Sequence, residues 1–469
     1  MSEIDLSTSG PSAIAARAQR PGRRGPADLP FTFVDAALVE RLAAERAEPA
    51  WLREDRLAAL AAFEATPVES NLLYTPYVDL RAASLDGAAP YVVTAAASAG
   101  AAAMPGGLAG LLEITEDGVT TAALSDAARA AGVRLATLGD LVANDEALAR
   151  ELIAASPVPV DEKLADLSRA AWSQGIVLVV PAGVILQAPI VLRWSLGAPR
   201  TLIGRTLIVL GEGAEAQVVE ELVASDAVVP GAQALFSGTT EVRLAAHSRL
   251  AMASLQELGP DHVVFQQRRA EIGEAADLRW ALAQLGGRLV RSRVDNVLAG
   301  DRSVVEQTEI VFGSDEQLHD LTSYTRHIGR DTSGQLLSKG VLLDGARAYM
   351  KGLISIEKTA IGTDSYLGEF GMNLSRRARA VAIPSLEIDQ PDCRRAAHSS
   401  SVGPIDEGQL FYLESRGIPA DDARKFIVLG FLEPVVARVP FEEAQDRLRD
   451  ALEAKWAAGS GAAGTATAA

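Results

Sequence analysis

One cysteine, Cys393, stands in 469 residues. A single thiol forms no internal disulfide and builds no thiolate metal cage by itself. Histidine occurs five times. No apolar run is long enough to cross a membrane. The dipeptide Gly-Lys is absent, and with it a phosphate-cradling P-loop. A His-Glu-x-x-His zinc helix and a Gly-x-Ser-x-Gly nucleophile elbow are absent too. Any ATP-driven step therefore falls to a partner. Positive charge is short: 44 Lys and Arg face 61 Asp and Glu, for a net charge of −17. That balance argues against a nucleic-acid binder, which works by neutralising phosphates, and serves solubility. The hydrophobic (48%) and charged (22%) fractions are those of a soluble globular protein. The length allows more than one domain, and the scarcity of cysteine fits a cytoplasmic home.

Residues 1–30 carry Arg17, Arg20, Arg23 and Arg24 with no apolar run behind them. They read as a flexible tail rather than a secretory signal. Residues 31–174 read as a mostly helical domain. Leu38 and Leu42, then Leu52, Leu57, Leu60 and Phe63, recur near one helical turn. Pro67 and Pro76 end that pattern, 95–110 is looser Gly/Ala-rich chain, and two further helices are expected around 145–155 and 161–173. From Gly175 to residue 403 the chain turns to short runs of Val, Ile and Leu with period two. Val290, Val294 and Leu298 share a face with Ser292 and Asn296, and Arg291, Arg293 and Asp295 share the other. Ala348, Met350, Ile354 and Ile356 repeat the pattern. Turn residues punctuate the runs at Gly211, Gly213, Gly286, Gly300, Gly329 and Gly345. Cassettes at 247–258, 275–285, 345–356 and 377–388 look alike at irregular spacing. Many short strands without intervening helices argue against a βαβ sheet and leave a sandwich, a barrel or a β-helix. Coil-like repetition in one long array favours the β-helix. Residues 404–456 return to helix: Gly417 suits a helix C-terminus and Pro419 a first turn. Ala423, Phe426, Ile427 and Phe431 are the expected buried face of that helix, and Phe441, Ala444, Leu448 and Leu452 form the next stripe. Residues 457–469 read as a disordered tail.

Two signals point to chemistry. Gly211-x-Gly213-x-x-Ala216 after a strand, with Asp226 downstream, imitates a dinucleotide fingerprint, but no βαβ unit surrounds it and a tight turn between strands explains it better. His247, His262, His319 and His327 read as surface or core residues, since eight extended residues separate the last two by about 25 Å. His398 sits where strands give way to helices. On its own it reads as a structural histidine, with a transition-metal ligand as the alternative.

Several segments together resemble the SufB/SufD family of iron–sulfur cluster assembly proteins, its SufD branch most. Pro49-Ala50-Trp51-Leu52-Arg53-Glu54 is similar to the family's amino-terminal helix. Val180-Pro181-Ala182-Gly183-Val184 and Ala188-Pro189-Ile190 are similar to the entry into its β-helix, and Ser338-Lys339-Gly340-Val341, Thr363-Asp364 and Asn373-Leu374 to later coils. The most specific stretch is Leu386-Glu387-Ile388, His398, Val402-Gly403 and then Asp406-Glu407-x-Gln409-Leu410-Phe411-Tyr412-Leu413-x-Ser415-Arg416-Gly417-Ile418-Pro419. The resemblance implies a mainly β fold, with a right-handed parallel β-helix between amino- and carboxy-terminal helical domains. It implies a non-catalytic scaffold that pairs with a SufB-like paralogue and carries a SufC-like ABC-type ATPase on its carboxy-terminal helices. Leu410, Phe411, Tyr412, Arg416, Ile418, Pro419 and Phe426 are the expected contact residues there. A nascent iron–sulfur cluster would be shared with the partner, with His398 as its iron ligand, and a flavin is suspected in the family's complex. The sequence departs from the pattern at Ala378, where SufB-type proteins carry a cysteine, and at Ala396-Ala397-His398, where SufD sequences often read Cys-Ser-His. A β-helix carbohydrate-active enzyme is the alternative, and would need clustered carboxylates.

Overall fold

The computed structural model describes residues 31–83, 105–154, 162–229, 231–439 and 441–466. The expected tail at 1–30 and most of the loose 95–110 stretch lie outside them. Two helices open the described chain, α1 (Ala36–Glu45) and α2 (Ala50–Ala65). Asp35 caps α1 by accepting the Leu38 amide at 2.8 Å. A strap of turns and irregular chain, residues 67–83, follows, with one 3-10 turn at Thr75–Tyr77. Then come β1 (Gly110–Thr115), β2 (Gly118–Leu124), α3 (Asp126–Ala130), β3 (Arg134–Thr137), α4 (Leu138–Asn144), α5 (Glu146–Ala154) and α6 (Lys163–Ala171). The stretch 105–137, expected to be mostly helical, thus supplies three strands. They are short, and they form because they extend two existing sheets: β1 joins β5 in parallel and β3 joins β4 antiparallel.

Sixteen strands make the core: β4 (Gln174–Val180), β5 (Ile190–Ala198), β6 (Thr201–Leu210), β7 (Glu215–Val228), β8 (Ala234–Leu244), β9 (Arg249–Glu257), β10 (His262–Ile272), β11 (Asp277–Gln284), β12 (Leu289–Leu298), β13 (Val304–Gly313), β14 (Leu318–His327), β15 (Ser333–Leu342), β16 (Arg347–Ile356), β17 (Asp364–Asn373), β18 (Arg379–Ile388) and β19 (Arg395–Pro404). Odd-numbered strands form one parallel sheet and even-numbered strands the other. Each coil therefore gives one strand to each sheet, and about eight coils stack into a parallel β-solenoid. Val263 pairs with Leu289, 26 residues on, and Thr201 with Leu235, 34 residues on. That unevenness is why the repeat looks degenerate in the sequence.

Period two decides which residues fill the lumen. Val290, Val294 and Leu298 of β12 join Val264, Ile272, Leu278, Trp280 and Leu282 in one buried cluster between the sheets. Outer faces are covered as well. On the even sheet, Ile203, Leu235, Phe265 and Leu289 pack against Leu38, Leu60, Phe63, Leu164 and Trp172 of the N-terminal helices. On the odd sheet, Leu255, Ile310, Phe312 and Val341 pack under α8 (Ala420–Val436) and α9 (Glu442–Ala466). The last helix runs through 457–466, which the composition marks as a disordered tail. Its alanines extend an established helix, and extension is far easier than nucleation.

One corner of every coil but the last is set by a left-handed residue: Gly183, Gly213, His247, Ala275, Arg302, Asp331 and Gly362. Their amides donate coil to coil, as from His247 to Glu274 at 2.8 Å and from Asp331 to Ile361 at 2.7 Å. The Gly211-x-Gly213 motif is one such corner between β6 and β7, so it is a turn and no helix follows it. Strand ends stack closely beside these corners. A Cβ at Gly329 would lie 2.3 Å from the Gly300 carbonyl oxygen, and one at Gly300 would lie 2.1 Å from the Glu274 nitrogen. Both contacts are to backbone, which cannot step aside. Gly329→Ala is therefore expected to cost about 1–3 kcal/mol or more, read as a lower urea midpoint. An unchanged midpoint would show that the coil spacing yields.

Candidate functional site

The solenoid is closed by helices and strands at its start and bare at its end. β18 pairs only with β16, and β19 only with β17. His398 lies in β19 opposite Leu367 of β17. Register carries that position back through Leu336, Gln307, Trp280, Met252 and Val218. These are lumen residues, so His398 ends a lumen row at the open mouth, where it is exposed. Among the described residues no three of His, Cys, Asp and Glu converge on a metal-sized site. Cys393 precedes β19 and sits in the turn before it. It is half-buried against the cluster of Leu336, Ile354, Ile356, Ala360 and Leu367. Ala378 is likewise in a turn, before β18, with its amide on Ser375 at 3.1 Å.

The neighbouring lumen row is polar: Glu220, Ser254, Leu282, Glu309, Ser338, Glu369 and Ser400 stand in register. Glu220 is paired with Arg268 at 2.8 Å and accepts from Ser254 at 2.7 Å. Glu309 accepts from Ser292 at 3.0 Å, and Glu369 from the Ile383 amide at 2.9 Å. Burial pushes the Glu309 carboxyl up to about 7 against the pull of Arg268, and the Glu369 carboxyl up to about 8. Unfolded, both would ionise near the ordinary 4.5. Between 4.5 and those values the folded chain holds more protons than the unfolded chain. Stability is therefore expected to fall as pH rises from about 4.5 towards 8, by up to about 1.4 kcal/mol per unit for each group. Glu369→Gln keeps the shape and removes one ionisation, so its melting temperature should fall less steeply with pH. A slope equal to that of the unaltered chain would refute the assignment.

The other histidines are structural. His262 bonds the Leu196 carbonyl at 3.3 Å, and burial lowers its pKa. His327 lies between Thr332 (2.8 Å) and Ser365 (3.0 Å), pushed down to about 4 by burial. His319 is pushed down to about 3 by burial and by Lys455. His247 is an exposed corner residue.

A charged cluster under the strap escaped sequence reading. Arg291 reaches Glu69 at 2.9 Å, Asp320 at 2.7 Å and the Val68 carbonyl at 3.1 Å. Lys351 reaches Asp320 at 2.5 Å. All four side chains are at most 1% exposed. The Tyr74 hydroxyl donates to the Gly352 carbonyl at 2.8 Å, and the Tyr77 and Tyr349 rings meet. The strap thus crosses β12, β14 and β16. The signal was present in β12, whose outward face carries Arg291, Arg293 and Asp295. Charges of that kind on a buried strand require partners.

Beyond β19, α7 (Glu407–Ser415) is capped by Asp406, which accepts the Gly408 amide at 2.8 Å. Gly417 takes the left-handed φ of 86° that ends the turn. Pro419 stands at the cap of α8, one place ahead of its first turn. No residue of α7 is buried. Phe411 is 72% exposed, Tyr412 56% and Phe426 57%. Leu410 and Ile418 are half-buried, while Arg416 and Pro419 are exposed. Phe426, expected to pack inward, instead faces out. Val428, Leu432, Val435 and Val436 take the buried stripe, because the face of α8 against β13 and β15 falls on them.

Comparison with known proteins gives a family match over half of the chain. Residues 194–431 match the family model for the SUF system FeS cluster assembly, SufBD core domain. The iron-sulfur cluster assembly protein SufD of Bacillus subtilis is 31% identical over 301 residues, 64% of this chain and 68% of that one. A SufBD family protein of Staphylococcus epidermidis is 28% identical over 306 residues, 65% of each chain. One of Staphylococcus aureus is 28% identical over 297 residues, 63% of each. The matches thus span slightly under two thirds of the staphylococcal relatives.

Proposed function

This chain belongs to the SufB/SufD family of iron–sulfur cluster assembly proteins and is most like SufD, and from that premise we propose that it is a scaffold subunit. In this reading the open end of the solenoid pairs with a SufB-like paralogue, and the C-terminal helices dock a SufC-like ATPase. The nascent cluster is cargo built at the pairing end. His398 supplies one nitrogen to it, and the partner supplies the remaining ligands. The observation that carries the reading is the family match running from the early coils into α8, together with an exposed imidazole at the uncapped mouth. The carbohydrate-active alternative is not favoured, since Glu220, Glu309 and Glu369 face a packed lumen rather than a surface groove. Among the described residues no helix is long and apolar enough to cross a membrane.

Phe411, Tyr412 and Phe426 support the docking role. Large aromatic side chains held in water by a helical hairpin are the usual anchors of interfaces. Deleting 404–456 would also remove α8 and most of α9 from the odd sheet and uncover Ile310, Phe312 and Val341. Point changes are the cleaner test. The combined Phe411→Asp, Tyr412→Asp, Phe426→Asp variant is expected to keep the melting temperature of the unaltered chain and to weaken ATPase binding by about 100-fold or more. Unchanged co-purification of the ATPase would remove the docking proposal.

A further inference from the structure

The outward face of the even sheet carries a row of polar side chains in register: Arg205, Thr239, Gln267 and Arg293, on β6, β8, β10 and β12. The two ends of the row are paired. Arg205 meets Glu241 at 2.8 Å, and Arg293 meets Asp295 at 2.8 Å. The two middle members are not. The Thr239 hydroxyl and both ends of the Gln267 amide have no hydrogen-bond partner among the described residues. Yet Thr239 is only 2% exposed and Gln267 4%. Over them lies the start of α6. Glu162 caps that helix through one carboxylate oxygen, which accepts the Ala165 amide at 2.6 Å. Its other oxygen, Oε1, is buried and has no partner among the described residues. Glu162, Thr239, Gln267 and Asp295 line one cavity of about 10 Å³.

Buried polar atoms are almost always hydrogen-bonded, so four of them around one cavity call for an explanation. A cavity of about 10–15 Å³ has room for one water, and a buried water makes about three hydrogen bonds. The lining selects the occupant. The Thr239 hydroxyl and the Gln267 Nε2 donate, while Glu162 Oε1 and Gln267 Oε1 accept. The occupant must therefore both donate and accept, which a bare ion does not. Burial pushes the Glu162 carboxyl up, and Arg293 and Arg291 pull it down. Its charge is thus already answered by guanidinium groups, and no cation is called for.

We propose that this cavity is a binding site for one water molecule, which fastens the N-terminal helical layer to the solenoid. The water donates to Glu162 Oε1 and joins it to the Thr239 hydroxyl and the Gln267 amide. With Oε1 held in this way, Oε2 stays on the Ala165 amide. One carboxylate then both starts a helix and ties it to β8 and β10. The place matters because α6 links the layer to the sheet. Lys163 at its start donates to the Thr66 carbonyl, just past α2, at 3.0 Å. Further along, the Ser168 and Ser237 hydroxyls meet at 3.4 Å. The site belongs to the chain alone and needs no partner subunit.

A crystallographic map of the full-length chain, at a resolution that shows ordered waters, is the first test. A peak about 2.7–3.2 Å from Glu162 Oε1, Thr239 Oγ1 and one end of the Gln267 amide is expected. A Gln267 side chain that turns to bond Glu162 or Thr239 directly, with no peak between them, overturns the proposal. Several oxygen contacts of about 2.3–2.6 Å would make the occupant a metal cation and overturn it as well. Gln267→Met gives an independent reading in solution, since it keeps the length of the side chain and removes its polar atoms. With a water in place, the substitution strips one of the water's bonds. The melting temperature is then expected to fall by about 2 °C or more. In a dry cavity the same substitution removes an unpaired buried amide and raises the melting temperature. A rise, or no change, refutes the water site.

Discussion

His398→Ala is expected to lower the iron and acid-labile sulfide of the anaerobically purified complex by about tenfold, while the chain still folds and still binds its partners. The size follows from coordination chemistry. Removing a residue that merely orients a metal ligand costs about 10–100-fold in affinity, and removing the ligand itself costs no less. Folding should be spared, because His398 is exposed on an edge strand. Its loss leaves no cavity in the Leu336, Ile354 and Leu367 cluster beneath it. Cys393→Ser is the control. That thiol is half-buried in a turn at the edge of the same apolar cluster, and its replacement should leave iron and sulfide content near normal. Full cluster content in the His398→Ala complex would end the ligand proposal and leave a scaffold only.

Arg291→Ala should destabilise the chain by about 3–5 kcal/mol, the usual result of removing one member of a buried charge cluster. Arg291 and Lys351 balance Glu69 and Asp320, all essentially out of water. Without the guanidinium two buried carboxylates face one ammonium, and the Val68 carbonyl loses its donor. Adding Asp320→Asn restores the balance of charge and should recover part of the loss. Urea denaturation measures both. The strap should also come loose, so 67–83 should become the first site cut by a protease. A loss under about 1 kcal/mol would place the cluster with surface ion pairs.

Much of this was legible in the sequence, for reasons that can be traced to residues. The period of two in 290–298 and 348–356 is physical, since it separates lumen from outside, and β12 and β16 follow it. The Ala444, Leu448 and Leu452 stripe is buried in α9. Coil count was hidden because Gly, His, Ala, Arg and Asp all fill the same left-handed corner, so no single letter marks it. The lumen carboxyls were hidden because charge on an alternating strand normally signals the wet face. The strap was hidden because it has no period: it is held by side chains of β12, β14 and β16, far away in sequence. The open mouth was legible only through resemblance, since Ala396, Ser399 and Ser400 look like a loop until β17 pairs with them.

The reach of the strap has a consequence for synthesis. The Tyr74 hydroxyl meets a carbonyl 278 residues later. On a ribosome adding about 5–20 residues per second, those coils appear tens of seconds after the strap has emerged. Tyr74, Tyr77 and Glu69 must wait in the open for that time, exposed to chaperones and proteases alike. β16, the last of the strands the strap crosses, is followed by only three more strands. The chain is thus latched only when its last coils are being made, and a product truncated before β16 lacks the carbonyl and the ammonium that complete the latch.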